Sequence, residues 1–478
     1  MVKSVSSRRF GLVGALAMGV AGCAPMGPAA APGAANAAEG VQPPTAHVNV
    51  SRVVYVEDDI EGATARAKAE GKALFVDVWA PWCHTCLSMK NYVLQDPSLA
   101  PLASRVLFAS IDSDRESSAK FLERHQVNVW PMFFVLDPAT DKVTGAWPGS
   151  ASLAELRAFI EDSVAVAEAS RAGSLPEGDP ARMIAEARAA QAGGDPAGAA
   201  KLFERAAAKL PVDHARRSEV LAGWLFALYS AKDWAGCAKL GEAHLDDVRG
   251  AAIPADFASF LLTCAEHLPE AEQPPLRAKA IAKLRAFTAS PPADASADDR
   301  ADAWSTLGEA LEDSGDAAGA RRAYEAKIAI LEKAAADAPA PEIAATFDYG
   351  RAMTYVTLGR GGYAIALLSA RERDMPGSYE PPARLASVLY RLGRHADAKA
   401  AVDRAIARAY GPRKLGYVKL RGAILTKLGD KDGALEALRD EVRGWEALPA
   451  GQANPTAVAD AKKRLAEAEA ASRAGTTK

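Results

Sequence analysis

Phe75-Val76-Asp77-Val78-Trp79-Ala80-Pro81-Trp82-Cys83-His84-Thr85-Cys86 decides the fold. It begins inside an apolar run from Ala73 to Trp79, the pattern of a strand covered on both faces, broken only by Asp77. Ala80-Pro81 ends that run, and the pattern after Cys83 is helical through Leu94. Cys83 therefore opens a helix, where unpaired N–H groups and the positive dipole end favour an anion. Thiol exchange needs a thiolate, and an ordinary cysteine with a pKa of about 8.5 is mostly protonated at neutral pH. These residues make Cys83 the candidate nucleophile. Cys86, one turn later on the same side, is the resolving partner.

Outward from this stretch, short β-rich runs alternate with helical ones from Val53 to about Ala167. Strands are expected at Val53–Val56, Ala73–Trp79, Val106–Ile111, Met132–Leu136 and Val143–Trp147. Helices are expected over Asp58–Gly71, from Cys83 to Leu94, around Ser117–His125 and from Ser152.

The Trp-x-x-Trp-Cys-x-x-Cys lead after a buried strand resembles the thioredoxin superfamily. So does Pro131, which stands just before the next apolar strand, and so does the order β-α-β-α-β-α-β-β-α. The resemblance covers about a quarter of the chain. The helix Cys86-Leu87-Ser88-Met89-Lys90 with the following Asp96-Pro97 looks most like the periplasmic thioredoxin-like domains of membrane thiol reductases. The resemblance implies that Pro131 is the cis-proline beside the disulfide; the residues alone also allow a plain strand-start proline. It implies that Asp77 is the buried acid that moves a proton to or from the second cysteine. From the residues alone, Asp77 either carries the desolvation cost of a buried carboxylate or reaches water at the strand end. Trp82 and Trp130 are expected to rim a substrate groove, Trp130 being bulkier than the family's usual residue there, while Trp79 reads as core. His84-Thr85 replaces the Gly-Pro of thioredoxins, so the reducing direction is not carried over. A protonated His84 would stabilise the thiolate and make the disulfide more oxidising; otherwise it is an exposed first-turn residue without electronic effect.

After about Pro176 the β signals stop and a repeat begins. Trp304-x-x-Leu307-Gly308-x-x-Leu311, then Gly315, Ala320 and Tyr324, places small and large residues as in a tetratricopeptide repeat. The same frame catches Gly194, Ala199, Phe203, Ala206 and Pro211; Gly359, Ala364, Leu368 and Pro376; Gly393, Ala398, Val402 and Ala405; and Gly429, Ala434 and Leu438. Gly315, Gly359, Gly393 and Gly429 are 44, 34 and 36 apart, close to that family's period with a loop inserted near Pro339–Pro341. Trp224–Ala243 and Phe257–Phe287 suit one or two degenerate units. These residues are core. The resemblance implies a concave face for a protein or peptide partner.

At the other end, Lys3, Arg8 and Arg9 precede a short apolar run from Phe10 to Ala21, the form of an export signal. Ser7-Arg8-Arg9-Phe10 resembles a twin-arginine start or is an ordinary basic region. Val20-Ala21-Gly22-Cys23 resembles a bacterial lipobox, which makes Cys23 a lipidation site; the alternative is cleavage after Ala35-Asn36-Ala37. Ala24 to about Pro44 is Ala, Pro and Gly with almost no large apolar residue, hence a flexible tether. The five cysteines include Cys237 and Cys264, which either pair in an oxidising compartment or stay buried and free. No second Cys-x-x-Cys or His pair completes a zinc site.

With 478 residues the chain is too long for one core. A net charge of -3 gives no general attraction to nucleic acid. The reading is multidomain: a signal at 1–23, a tether at 24–47, an α/β thioredoxin fold at 48–172, and an all-α tetratricopeptide-repeat solenoid at 178–472 with a capping helix. The expected function is protein thiol–disulfide exchange in the periplasm or at the outer membrane. It would need no cofactor, and an upstream thiol reductase and a partner on the repeats would join it. The rival is an envelope scaffold lipoprotein in which Cys83–Cys86 is structural.

Overall fold

The computed structural model describes residues 52–476. The expected export signal, the lipobox with Cys23 and the tether lie outside the described residues. Among the described residues no helix is long and apolar enough to cross a membrane.

The first part is a five-stranded sheet in the order β1-β3-β2-β4-β5, built from β1 (Tyr55–Glu57), β2 (Ala73–Trp79), β3 (Val106–Asp112), β4 (Met132–Asp137) and β5 (Lys142–Pro148). β1 and β2 run parallel to β3, whereas β4 is antiparallel to β2 and β5 to β4. The sheet is covered on both faces, which explains the unbroken apolar run of β2. Leu74, Val76 and Val78 face α1 (Ile60–Ala69) and Phe121 of α3 (Ala119–Arg124). Phe75, Phe108 and Phe133 face Leu156, Phe159 and Ile160 of α4 (Leu153–Arg171). A capping box between Ser152 and Glu155 fixes the start of α4. α2 (His84–Ser88) starts at Cys83 and continues as a π-helical turn, Met89–Val93. A 3₁₀ helix, Pro97–Ser104, which the sequence pattern did not announce, connects onward to β3.

The rest is helical. Antiparallel pairs follow one another: α5 (Pro180–Ala192) with α6 (Pro196–Lys209), α7 (Arg217–Ser230) with α8 (Trp234–His244), α9 (Ile253–Ala265) with α10 (Gln273–Ala289), and α11 (Ala297–Asp313) with α12 (Ala317–Ala336). After the short α13 (Pro341–Ala344) come α14 (Asp348–Thr357) with α15 (Gly361–Asp374), α16 (Glu380–Arg391) with α17 (His395–Arg408), and α18 (Gly411–Leu428) with α19 (Lys431–Ala447). α20 (Pro455–Thr476) packs on α19. This is an array of antiparallel helix pairs, and its small residues act as the pattern implies. Gly308 leaves room for the Tyr324 ring, whose Cε1 lies 2.7 Å from where a Cβ would stand. Gly315, Gly359, Gly393 and Gly429 all adopt positive φ, the left-handed turn that ends the first helix of a pair, so the period is set by backbone geometry. The weak segments also form helix pairs, α7/α8 and α9/α10. They are tied by a Cys237–Cys264 disulfide, the first of the two arrangements the sequence left open.

The array also packs on the sheet domain. One apolar cluster runs from Phe75, Phe133 and Leu156 through Leu221, Phe257 and Leu261 to Ile424, joining sheet and helices in a single core. Gln126 N–H donates to Ala192 O at 2.7 Å, Asn91 Nδ2 to Thr346 Oγ1 at 2.9 Å, and Gln452 Nε2 to Ser113 O and Arg115 O at 2.9 and 2.8 Å. The array therefore packs along the edge of the α/β part that carries Cys83.

Candidate functional site

Cys83 and Cys86 form a disulfide with their Cα atoms 5.2 Å apart. Cys83 is the N-cap of α2, and its Sγ accepts from Cys86 N–H at 3.0 Å. The helix start thus presents a donor to the sulfur that must bear negative charge. Both cysteines are recessed, Cys83 being 7% exposed and Cys86 1%. The Trp130–Pro131 peptide bond is cis.

Asp77 lies in the β2 layer, 1% exposed, and burial pushes its carboxyl up to about 7. Ser110 Oγ donates to its Oδ2 at 3.1 Å, Lys90 Nζ donates to Ser110 Oγ at 3.0 Å, and the Lys90 ammonium lies 3.7 Å from the Trp79 ring. The Oδ1 of Asp77 has no partner. Such a carboxyl can hold a proton at neutral pH and release it at modest cost. Of the two sequence readings of Asp77, the structure places it in the buried one.

Trp82 and Trp130 meet edge to face with centroids 5.2 Å apart. Their indole N–H groups are fixed by Asp114 Oδ2 at 2.8 Å and Ser113 Oγ at 2.9 Å. Burial, with Asp112 close by, pushes Asp114 up to about 7. The array covers this rim as well: Arg384 Nη2 donates to Trp82 O at 3.4 Å, and the Arg413 guanidinium lies 4.7 Å from the Trp82 ring. Between Thr85 and Trp130 on one side and Phe226, Ile253 and Asp256 on the other lies a cavity of about 200 Å³. Burial, with Asp299 and Asp302 adding, pushes the Asp256 carboxyl up to about 8.

His84 is not an exposed first-turn residue. Its Nδ1 is 2.9 and 3.1 Å from Asp298 Oδ1 and Oδ2, and its ring stacks on Tyr349 with centroids 5.7 Å apart and planes at 15°. Thr85 Oγ1 lies 3.5 Å from the same nitrogen. Burial alone would discharge this imidazole, yet Asp298 and Asp302 outweigh it and raise it to about 9. His84, Asp298 and Asp302 offer donor atoms within 4.8 Å of one another, a spacing a cation could also use. His84 and Asp298 already satisfy each other as an ion pair.

The structure therefore brings Cys83, Cys86, His84, Thr85, Trp82, Trp130 and Pro131 to one edge, with Asp77 in the strand that leads to it. Sequence reasoning missed Asp298, Tyr349, Arg384 and Arg413. Asp298 follows Ser296 in the first turn of α11 and reads as one of two ordinary N-terminal acids, so no local signal marked it.

Residues 55–138 match the family model described as Thioredoxin-like. Over 96 residues the chain is 27% identical to the thiol:disulfide interchange protein DsbD of Pseudoalteromonas atlantica, a stretch covering 20% of this chain and 16% of that protein. Over 92 residues it is 25% identical to protein disulfide-isomerase 1 of Dictyostelium discoideum, covering 19% of this chain and 25% of that one. The chain thus matches a quarter or less of the length of either relative. Among solved structures, a tetratricopeptide repeat protein from Parabacteroides merdae is 14% identical, over 60% of this chain and 98% of its own, with a TM-score of 0.40. YrrB, described as a tetratricopeptide repeat protein with an unusual peptide-binding site, is 16% identical, over 47% of this chain and 99% of its own, with a TM-score of 0.24.

Proposed function

We propose that the chain is a thiol–disulfide oxidoreductase of the cell envelope, acting on protein substrates through Cys83 and Cys86. One observation carries this reading: a recessed disulfide, whose Cys83 caps a helix and which packs against Trp82 and Trp130, stands beyond the end of a strand that holds a buried, protonatable carboxyl. The Thioredoxin-like match at 55–138 supports the same chemistry.

In the reducing direction the Cys83 thiolate attacks one sulfur of a substrate disulfide. A Cys83–substrate bond forms, and the other substrate sulfur leaves as a thiolate that takes a proton from the medium. Cys86 then gives its proton to the Asp77 carboxylate and attacks Cys83 Sγ. The mixed disulfide breaks, the second substrate sulfur leaves as a thiolate that takes a proton from the medium, and Cys83–Cys86 is left oxidised, two electrons having passed to the substrate. An upstream thiol reductase of the envelope would restore the dithiol. Run in reverse, the same steps oxidise a substrate dithiol. Trp82 and Trp130 would line the substrate's approach, and the repeats would hold a protein or peptide partner on surfaces the α/β part does not occupy. Export by the N-terminal signal, with Cys23 acylated in the membrane, would place this chemistry where disulfides form.

A second reading, an envelope scaffold with a structural disulfide, draws support from the slight exposure of Cys83. Equilibrating the full chain against glutathione and thioredoxin buffers and trapping its thiols separates the two. A reversible couple at Cys83–Cys86, lost in Cys83→Ser, is the expected result. A pair that stays oxidised in every buffer that leaves the fold intact would establish the scaffold.

A further inference from the structure

The charge partner of His84 comes from 214 positions further along the chain. Asp298 is 3% exposed, and the Ser296–Asp299 capping box fixes the helix start that carries it. On its other side His84 is held by the stacked Tyr349 ring, itself within reach of the Arg384 guanidinium at 5.8 Å. The remaining charged groups that bear on His84 are Asp302, one turn along α11, and Lys327 of α12, whose Nζ donates to Ser305 at 2.9 Å. Two carboxylates thus oppose one ammonium around the imidazole.

The molecule contains its own control. His125 is also recessed in the α/β part, where burial drives it down to about 4 with Arg124 adding, so a histidine buried here without a closely bonded carboxylate is neutral. His84 differs in having Asp298.

We infer that Asp298 is a positioning residue of the redox couple: from the helical array it holds His84 in place as a hydrogen-bonded cation next to Cys83, stabilising the reduced, thiolate form against the disulfide. The array is then part of the redox centre as well as a surface for partners. This rests on the oxidoreductase reading and deepens it.

The test measures the glutathione equilibrium of the full-length protein and the pH dependence of Cys83 alkylation, in wild type, Asp298→Asn, His84→Asn and the double variant. Asp298→Asn should shift the equilibrium about tenfold toward the disulfide, roughly 30 mV more reducing, and move the alkylation profile to higher pH. His84→Asn should do the same, and the double variant should add nothing. An equilibrium unchanged within about twofold, or an Asp298→Asn effect that persists in full without His84, overturns the inference while the couple itself survives. Absence of any couple in the wild type would sink the oxidoreductase reading instead. The His84 ring nitrogens in the wild type, followed by NMR, give an answer independent of any variant's folding: an imidazolium up to pH 8 is expected, and a neutral ring at pH 7 overturns it.

Discussion

The Arg413 guanidinium of α18 lies 4.7 Å from the Trp82 ring, so a residue near the end of the helical array closes over the tryptophan that precedes Cys83. Arg413 Nε also donates to Tyr417 OH at 3.1 Å, which steadies it there. A partly desolvated cation–π contact contributes about 1 to 2 kcal/mol. Arg413→Ala should therefore lower stability in urea by about that amount, while alkylation of reduced Cys83 becomes faster because its cover is loosened. Loss of stability with no change in alkylation would mean that Arg413 does not limit access.

Asp77 supplies a pH signature. The unfolded chain releases this proton near the ordinary carboxylate range of about 4, whereas the folded chain holds it up to about 7. Unfolding between those values releases a proton, so this group's contribution to stability falls as pH rises from about 4 to about 7 and is flat above. Asp77→Asn should remove that slope and stabilise the protein at pH 8 by a few kcal/mol. It should also slow resolution of the mixed disulfide by about a hundredfold, the scale of general acid–base help. Urea titrations at pH 5 and pH 8, with stopped-flow thiol exchange, check both effects.

How far the sequence could be read follows from the distance over which each contact acts. Cys83 capping its own helix, Asp77 in an apolar strand and the glycine turns at Gly315 and Gly393 all depend on near neighbours, and each left a local pattern. The contacts of His84 with Asp298 and of Trp82 with Arg413 join residues more than two hundred positions apart, and acids or arginines on helices look alike until the helices are placed. The same limit hid the packing of the helical array against the sheet domain. The degenerate pairs were hard to read because their close approach is made differently: Gly241 meets Leu261, and Gly223 meets Phe203 of the preceding pair.

The Cys237–Cys264 bond links α8 to α9, both sulfur-bearing residues being fully buried. Closing a loop of that length restricts the unfolded chain by about 3 to 4 kcal/mol. The Cys237→Ala, Cys264→Ala variant should lose about that much stability and leave the glutathione equilibrium of Cys83–Cys86 unchanged. Under mild reductant the Cys83–Cys86 pair should open first, since Cys83 is the most exposed of the four cysteines. Mass spectrometry of differentially alkylated protein would detect the opposite order.

Gly411 provides the sharpest test of the joint between the two parts. It has φ of 56°, a region that L side chains rarely adopt, and a Cβ there would stand 2.0 Å from the Asp114 carbonyl oxygen. Neither atom can give way cheaply, because Asp114 also holds Trp82 and the adjacent Tyr410 donates to Asp112. Gly411→Ala should therefore push α18 away from the sheet domain and cost about 2 to 3 kcal/mol or more. The helical pairs upstream of α16 should keep their hydrogen-exchange protection, while amides from Asp112 to Arg115 and around Gln452 lose it. If the variant is as stable as the wild type and protected at those amides, the array does not bear on the Cys83 edge through α18, and the cover over Trp82 must come from α16 alone.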